Sequence, residues 1–331
     1  MLGLKAIMNA KSVIRIGIWS TILLLSCAYP LVAQITPAQR LTDALALEME
    51  GKPALATVEL HELLNSGSLD TFGSGKAWNI LGLAYEDMGE FALSQRAYEE
   101  SLRILKDLPD HLQDYAMALD DFGGLYVAID QFEAADKMRS RALSIYERLA
   151  DHTGMARVSC DLATIAFSQK MVAAGDKYLA RSVKEAKVAT DLDDDDRAAI
   201  SSLQGWQAQF DGDFPMSVAR YRKALDLWRR RHGEEHPFTG WGHLLLGDAQ
   251  FEAGQLTTAL DEIKQGVAIL DRTVDRQNPH YLIAELAYSR VLDAAGSHAE
   301  AARLKATAES LLKDVYRKQC AGCTISAAAF R

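Results

Sequence analysis

The sequence predicts an all-α fold, an α-solenoid of about seven antiparallel helix pairs. Three observations carry this. First, a helical run, a Gly, one polar residue and a second helical run recur at Met88-Gly89-Glu90-Phe91, Asp211-Gly212-Asp213-Phe214, Ala253-Gly254-Gln255-Leu256 and Ala295-Gly296-Ser297-His298. Second, the last three of these glycines are 42 residues apart, twice over, and a fixed period in this range marks stacked supersecondary units. Third, 331 residues with 49% hydrophobic and 24% charged residues are ordinary for a folded chain, and only seven prolines interrupt it. A uniform period argues for one elongated array rather than two globular domains.

Residues 1–33 read as an export segment. Lys5, Lys11 and Arg15 precede an apolar run from Ile16 to Leu25, and Leu31-Val32-Ala33 ends in a small residue, the layout of a secretory signal peptide. The basic region is long, and translation from Met8 instead of Met1 gives a more usual signal. Three outcomes fit: cleavage near Ala33, lipidation of Cys27 within the lipobox-like Leu24-Leu25-Ser26-Cys27, or a retained anchor. The apolar run is short for a membrane span. All three put the array outside the cytoplasm, in the periplasm, secreted, or lipid-anchored to the envelope.

The helix pairs follow in order. A degenerate first pair occupies 36–70 and turns at Gly51-Lys52-Pro53. The clearest unit is 75–110. Trp78, Leu81, Gly82 and Tyr85 share one face of its first helix, and Ser94, Tyr98 and Ser101 share one face of its second. Small residues at 82, 94 and 101 let the two helices approach, and the aromatic and Leu side chains fill the space between them. Unit 114–150 carries Leu119, Phe122, Gly123, Tyr126, Phe132, Ala135 and Ala142; unit 154–190 carries Leu162, Ala163, Val172 and Ser182. Unit 196–232 has Gly205, Phe214, Ser217, Tyr221 and Ala224, unit 238–274 has Leu246, Gly247, Leu256 and Ala259, and unit 279–317 has Ala301 and Ala308. The predicted turns are Gly51, Gly89, Asp130, Lys170, Gly212, Gly254 and Gly296, with steps of 38, 41, 40, 42, 42 and 42 residues. A tail, 318–331, closes the chain.

This layout resembles the tetratricopeptide repeat, whose pattern is a Trp, a Leu-Gly and an aromatic, then Ala, an aromatic and Ala. The ordinary repeat is 34 residues. The longer step here, with Gly233-Glu234-Glu235-His236-Pro237-Phe238-Thr239 ahead of a new helix, is similar to the repeats of kinesin light chains and their bacterial relatives. The resemblance implies a right-handed solenoid that binds a peptide or protein in its concave face, needs no cofactor and is not an enzyme. It implies no motor function and names no partner.

Several motifs invite chemistry. His232-Gly233-Glu234-Glu235-His236 spells an inverted zinc-peptidase pattern, but that motif works on a continuous helix, which Gly233 and Pro237 break. The Asp191 to Asp196 run lacks the Gly and Glu that a calcium loop of the EF-hand type requires, and reads as an N-cap with first-turn charge before Arg197. No metal site is assigned. Cys160 lies among apolar residues and reads as a small buried side chain. Cys320 and Cys323 form a Cys-x-x-Cys pair in the tail, open to three readings: a short disulfide, a metal or partner-thiol site, or a free pair. The net charge of −9, falling to −12 on loss of Lys5, Lys11 and Arg15, argues against nucleic acid as a partner. Arg229-Arg230-Arg231 reads as a helix-end charge serving the dipole and solvent.

Stacking between neighbours stabilises such an array, leaving the inner face of the first helices for a ligand. By register that face includes Asn79, Leu83, Glu86, Asp120, Arg157, Phe167, Trp206, Gln209, Phe210, Trp241, Asp248, Phe251 and Arg290. Aromatic and Arg side chains dominate interface energies, so Trp206, Phe210, Trp241 and Phe251 are the leading partner-binding candidates, with inter-repeat core as the competing reading. An alternative class is an enzyme using His232, Glu235 and His236, or Cys320 and Cys323. Another is an envelope assembly factor anchored through Cys27.

Overall fold

The computed structural model describes residues 35–319. The body from Pro37 onward contains fourteen α-helices in seven antiparallel pairs, and there is no strand among the described residues. The pairs are α1 (Pro37–Met49) with α2 (Pro53–Ser66), α3 (Thr71–Asp87) with α4 (Phe91–Leu105), α5 (Leu112–Ala128) with α6 (Phe132–Leu149), and α7 (His152–Ser168) with α8 (Val172–Ala186). Then come α9 (Asp194–Phe210) with α10 (Phe214–His232), α11 (Pro237–Glu252) with α12 (Leu256–Thr273), and α13 (Pro279–Ala294) with α14 (His298–Gln319). The signal segment, Cys27 and the Cys320/Cys323 pair lie outside the described residues.

The seven turns share one backbone geometry. Gly51, Gly89, Asp130, Lys170, Gly212, Gly254 and Gly296 all have positive φ, between 59° and 86°. In each turn the next residue donates its N–H to the carbonyl five positions back, as in Glu90 to Tyr85, Gln131 to Tyr126 and Gln255 to Gln250, at 2.7–2.8 Å. This is the left-handed helix stop that satisfies the last carbonyls of the first helix. Asp130 and Lys170 adopt it with a side chain, which costs about 1 kcal/mol relative to Gly. Lys170 is exposed, so Lys170→Gly is expected to raise stability by roughly 0.5–1 kcal/mol, read as a higher denaturant midpoint.

Helix starts are set by local acids. Asp70, Asp151 and Asp213 accept from Gly73, Gly154 and Met216 N–H at 2.6, 2.9 and 3.0 Å. Asp193 and Asp196 form a reciprocal capping box at the head of α9. His236 Nδ1 accepts from the Phe238 N–H at 3.2 Å, and Pro237 opens α11 where its missing N–H costs nothing.

Within each pair small residues admit large ones. The ring of Tyr98 lies on Gly82, where a Cβ would come within 2.6 Å of it, and Ser94 Oγ donates to the Gly82 carbonyl at 2.8 Å. Leu81 and Tyr98 are fully buried. In α11–α12 the backbones themselves meet: a Cβ on Gly266 would sit 2.7 Å from the Gly240 carbonyl oxygen.

Each helix packs against its pair partner and its chain neighbours. In addition α1 touches α3, α3 touches α5, α5 touches α7, α7 touches α9 and α11 touches α13, while no two even-numbered helices come comparably close. Closer approach along one side curves the array, so the odd-numbered helices form the concave wall and the even-numbered ones the outer layer. The curvature brings distant repeats together at a seam. His236 Nε2 lies 3.4 Å from the Met49 carbonyl oxygen, Asn278 donates to the Asp87 carbonyl at 3.4 Å, and the Pro237 ring packs beside Gly51.

Candidate functional site

Polar links join successive odd-numbered helices at four of the six repeat steps. Asn79 Nδ2 donates to Asp121 at 2.6 Å, from α3 to α5. Arg157 on α7 makes a bidentate contact with Asp196 on α9 at 2.6 and 2.7 Å. Gln209 on α9 donates to Asp248 on α11 at 3.3 Å, and Asp248 also pairs with Arg290 on α13. Arg290 further reaches Glu252 at 3.3 Å and lies 4.9 Å over the Phe251 ring.

These links locate the residues singled out by register. Phe251, Asp248 and Arg290 meet in one charged-aromatic cluster. Trp206 and Phe210 stack with Phe167, with ring centroids 5.5–6.1 Å apart. Of those three, Phe167 is core, 1% exposed, Trp206 is half-buried, and Phe210 is 42% exposed at the end of α9. Trp241 is half-buried against the core of the last two pairs. Asn79 is buried, Arg157 is exposed, and Asp120 is half-buried beside Arg139, whose Nε donates to it at 3.1 Å.

Register reasoning names Glu86 and Asp120 but misses their neighbours. Glu48, Asp87, Asp121 and Asp161 join them on α1, α3, α5 and α7. Burial, reinforced by neighbouring carboxylates, pushes the Glu48 carboxyl up to about 7 and Glu86 to about 8. Asp87 and Asp121 rise to about 6, burial again being the leading cause. Asp120 and Asp161 are also raised, with Arg139 opposing. The sequence signal was available: carboxylates recur at 48, 86–87, 120–121 and 161, one repeat apart.

The two charge runs explain each other. Arg230 pairs with Asp194 at 2.8 Å, and Arg231 with Asp195 at 2.6 Å and Asp193 at 3.1 Å. The basic end of α10 thus neutralises the acidic head of α9, besides each run's favourable position in its own helix. The His-Gly-Glu-Glu-His residues have separate partners: His232 contacts Asp195 at 2.7 Å, Glu235 binds Arg272 at 2.7 and 2.8 Å, and His236 caps α11. Among the described residues no three His, Cys, Asp or Glu side chains are grouped to hold a metal ion. Cys160 is buried, which pushes its thiol up. A cleft of about 530 Å³ lies at the loop edge instead, lined by Pro109, Leu149, His152, Val188 and Asp191. No helix among the described residues is long and apolar enough to cross a membrane.

An α-solenoid with a polar, aromatic-bearing concave wall is an interaction architecture. A tetratricopeptide-repeat model matches residues 74–148 and 196–272, the two segments that span α3 to α6 and α9 to α12. No curated protein matches it in sequence. Among solved structures it is similar to the Rap conjugation gene regulator of plasmid pLS20 in complex with the Phr* peptide, at 11% identity and a TM-score of 0.66, covering 85% of this chain and 75% of that one. It is similar to NprR in complex with its cognate peptide NprX, at 13% identity and TM-score 0.62, covering 89% and 84%. A third is the Cut9–Hcn1 assembly, at 15% identity and TM-score 0.59, covering 84% of this chain but only 48% of that one, so the chain spans about half its length. At these identities the likeness is one of fold.

Proposed function

We propose that this protein is a non-catalytic interaction scaffold that holds a peptide, or an extended segment of a protein, along the concave wall, and that it works after export. The observation that supports the reading is the wall itself: its odd-numbered helices carry Arg157, Phe210 and Arg290 exposed, with Arg290 over the Phe251 ring. The Rap and NprR neighbours, each solved with a peptide, support it by fold. The 42-residue step and the Gly233–Thr239 linker ally the repeats with the longer, kinesin-light-chain-like type. Export rests on the composition of residues 1–33, with Cys27 as the lipidation candidate.

Selection of a random peptide library on the full chain is expected to recover binders that lose about tenfold or more in affinity to Phe210→Ala, a truncation of one exposed aromatic anchor. Met216→Ala, equally exposed on outer helix α10, should leave affinity unchanged. Peptides indifferent to Phe210→Ala and sensitive to Met216→Ala would place binding elsewhere. For export, the mass of the mature protein is expected to begin at Gln34, or at a lipid-modified Cys27; an intact N-terminus in a cytosolic fraction would overturn it.

A further inference from the structure

The inner wall is acidic along its first four helices. Glu48 lies on α1, Glu86 and Asp87 on α3, Asp120 and Asp121 on α5, and Asp161 on α7. Glu48 lies beside Asp87, and Asp120 beside Asp161, so carboxyls face carboxyls across repeats. Cations are scarce here. Arg139 reaches in from α6, to Asp120 at 3.1 Å and Asp161 at 3.7 Å, and Arg157 is committed to Asp196. The charges acting on Glu48 are both negative, Asp87 and Asp121.

A second observation points into the same wall. Asn79 is 5% exposed and donates to Asp121, but its Oδ1 has no hydrogen-bond partner. A buried acceptor is normally satisfied, so the site lacks a donor. The wall also adjoins the seam, where the carbonyls of Met49 and Asp87 receive His236 and Asn278. No three of them converge as a metal ion would require, which suits a long, flexible cation.

We infer that this wall binds a cationic segment of the partner peptide, a Lys or Arg side chain seated among the carboxylates, with an N–H of that segment supplying the donor that Asn79 Oδ1 lacks. This rests on the peptide-groove reading above and adds the charge of the peptide. The raised carboxyls agree with it: near pH 7 the empty wall retains protons, and an arriving cation drives them off. The other titratable groups facing it are Tyr98 from α4, Arg139 and Tyr146 from α6, Arg157 and Cys160 from α7, and Asp196 from α9. Burial raises both tyrosines and the thiol, and the two arginines, the two tyrosines and the thiol keep their protons across pH 6–8. Binding therefore tightens from pH 6 to pH 8.

The test uses the full chain and three dye-labelled nonapeptides in which Ala alternates with Lys, with Glu or with Ser, followed by fluorescence anisotropy at low ionic strength. The Lys peptide is expected to bind about tenfold or more tightly than the Ser peptide, and the Glu peptide more weakly than both. Glu48→Gln combined with Asp87→Asn should abolish the Lys preference, leave the Ser affinity in place and give a thermal midpoint no lower than that of the wild type. Asp226→Asn, on outer helix α10, should keep the preference. Equal Lys and Ser affinities, or a preference that survives the double substitution, overturn the inference while leaving the groove reading intact. Failure of all three peptides to bind overturns both. Spermidine that competes as strongly as the Lys peptide binds would assign the wall to a free polyamine and overturn the peptide assignment. A readout needing no variant is the heat of Lys-peptide binding at pH 7 in two buffers of unlike ionisation heat: a difference is expected, and identical heats overturn the role of the carboxyls.

Discussion

Gly266→Leu is expected to destabilise the array by about 3 kcal/mol, at the upper end for overpacking, because the obstacle is backbone rather than a movable side chain. A Cβ at 266 would lie 2.7 Å from the Gly240 carbonyl oxygen and 3.0 Å from Leu244 Cγ. The two helices must separate to admit it, and their separation also loosens Ile263, Leu270 and Leu282, all of them buried in the same cluster. Equilibrium unfolding in urea measures the effect. Gly254→Ala is the control: its surroundings are open, with nothing within 4 Å, and only its φ of +75° resists, at about 1 kcal/mol. Equal costs for the two would mean that α11 and α12 do not pack backbone to backbone.

Arg139→Met is expected to cost about 2–4 kcal/mol at pH 8, reduced from the fully buried range because Asp161 is partly solvated. The guanidinium is 9% exposed and stands between Asp120 and Asp161. Removing it leaves those carboxylates facing one another without a counter-charge. The cost should shrink as pH falls, because burial raises both carboxyls and the pair then takes up a proton. The wild type has a related slope. Glu48 and Glu86 hold protons more tightly folded than unfolded, up to about 7 and about 8. The folded state therefore binds more protons than the unfolded state above their ordinary range, and stability falls as pH rises from about 6.5 to about 8, levelling off beyond. His236, held below its ordinary value chiefly by burial, acts in the opposite sense at lower pH, so the window stays above 6.5. A thermal midpoint that rises with pH across that window, or an Arg139→Met cost that grows toward pH 6, would contradict this electrostatic account.

The turns are legible in the sequence because a left-handed residue is a local requirement. Glycines mark five of them, and counting the period finds Asp130 and Lys170 where no glycine shows. The helix pairs are legible for the same reason: Gly82, Ser94, Tyr98 and Ser101 announce a close contact a few residues apart. The tertiary relations are harder. Arg229 to Arg231 and Asp193 to Asp195 each have a sufficient local explanation, so nothing in either run demands the other. Phe167 looks like an inner-face aromatic by register, but Gly175 on the facing helix opens a slot for its ring, where a Cβ would come within 2.5 Å. The seam joining Met49 to His236 depends on a small rotation summed over several repeats, which no local residue encodes. The acidic wall is intermediate: its members recur at the repeat spacing, yet their effect on one another depends on the curvature that crowds them.

On the proposed function the concave wall, and not the outer layer, holds the partner. Site-specific photo-crosslinking tests it most directly, with a photoreactive phenylalanine analogue at Leu83 or Phe210 on the odd-numbered helices and at Arg96 or Lys137 on the even-numbered ones, in cells that make the full chain. A discrete adduct is expected from the first two positions and none from the second two. Adducts from Arg96 or Lys137 with none from Leu83 or Phe210 would contradict it.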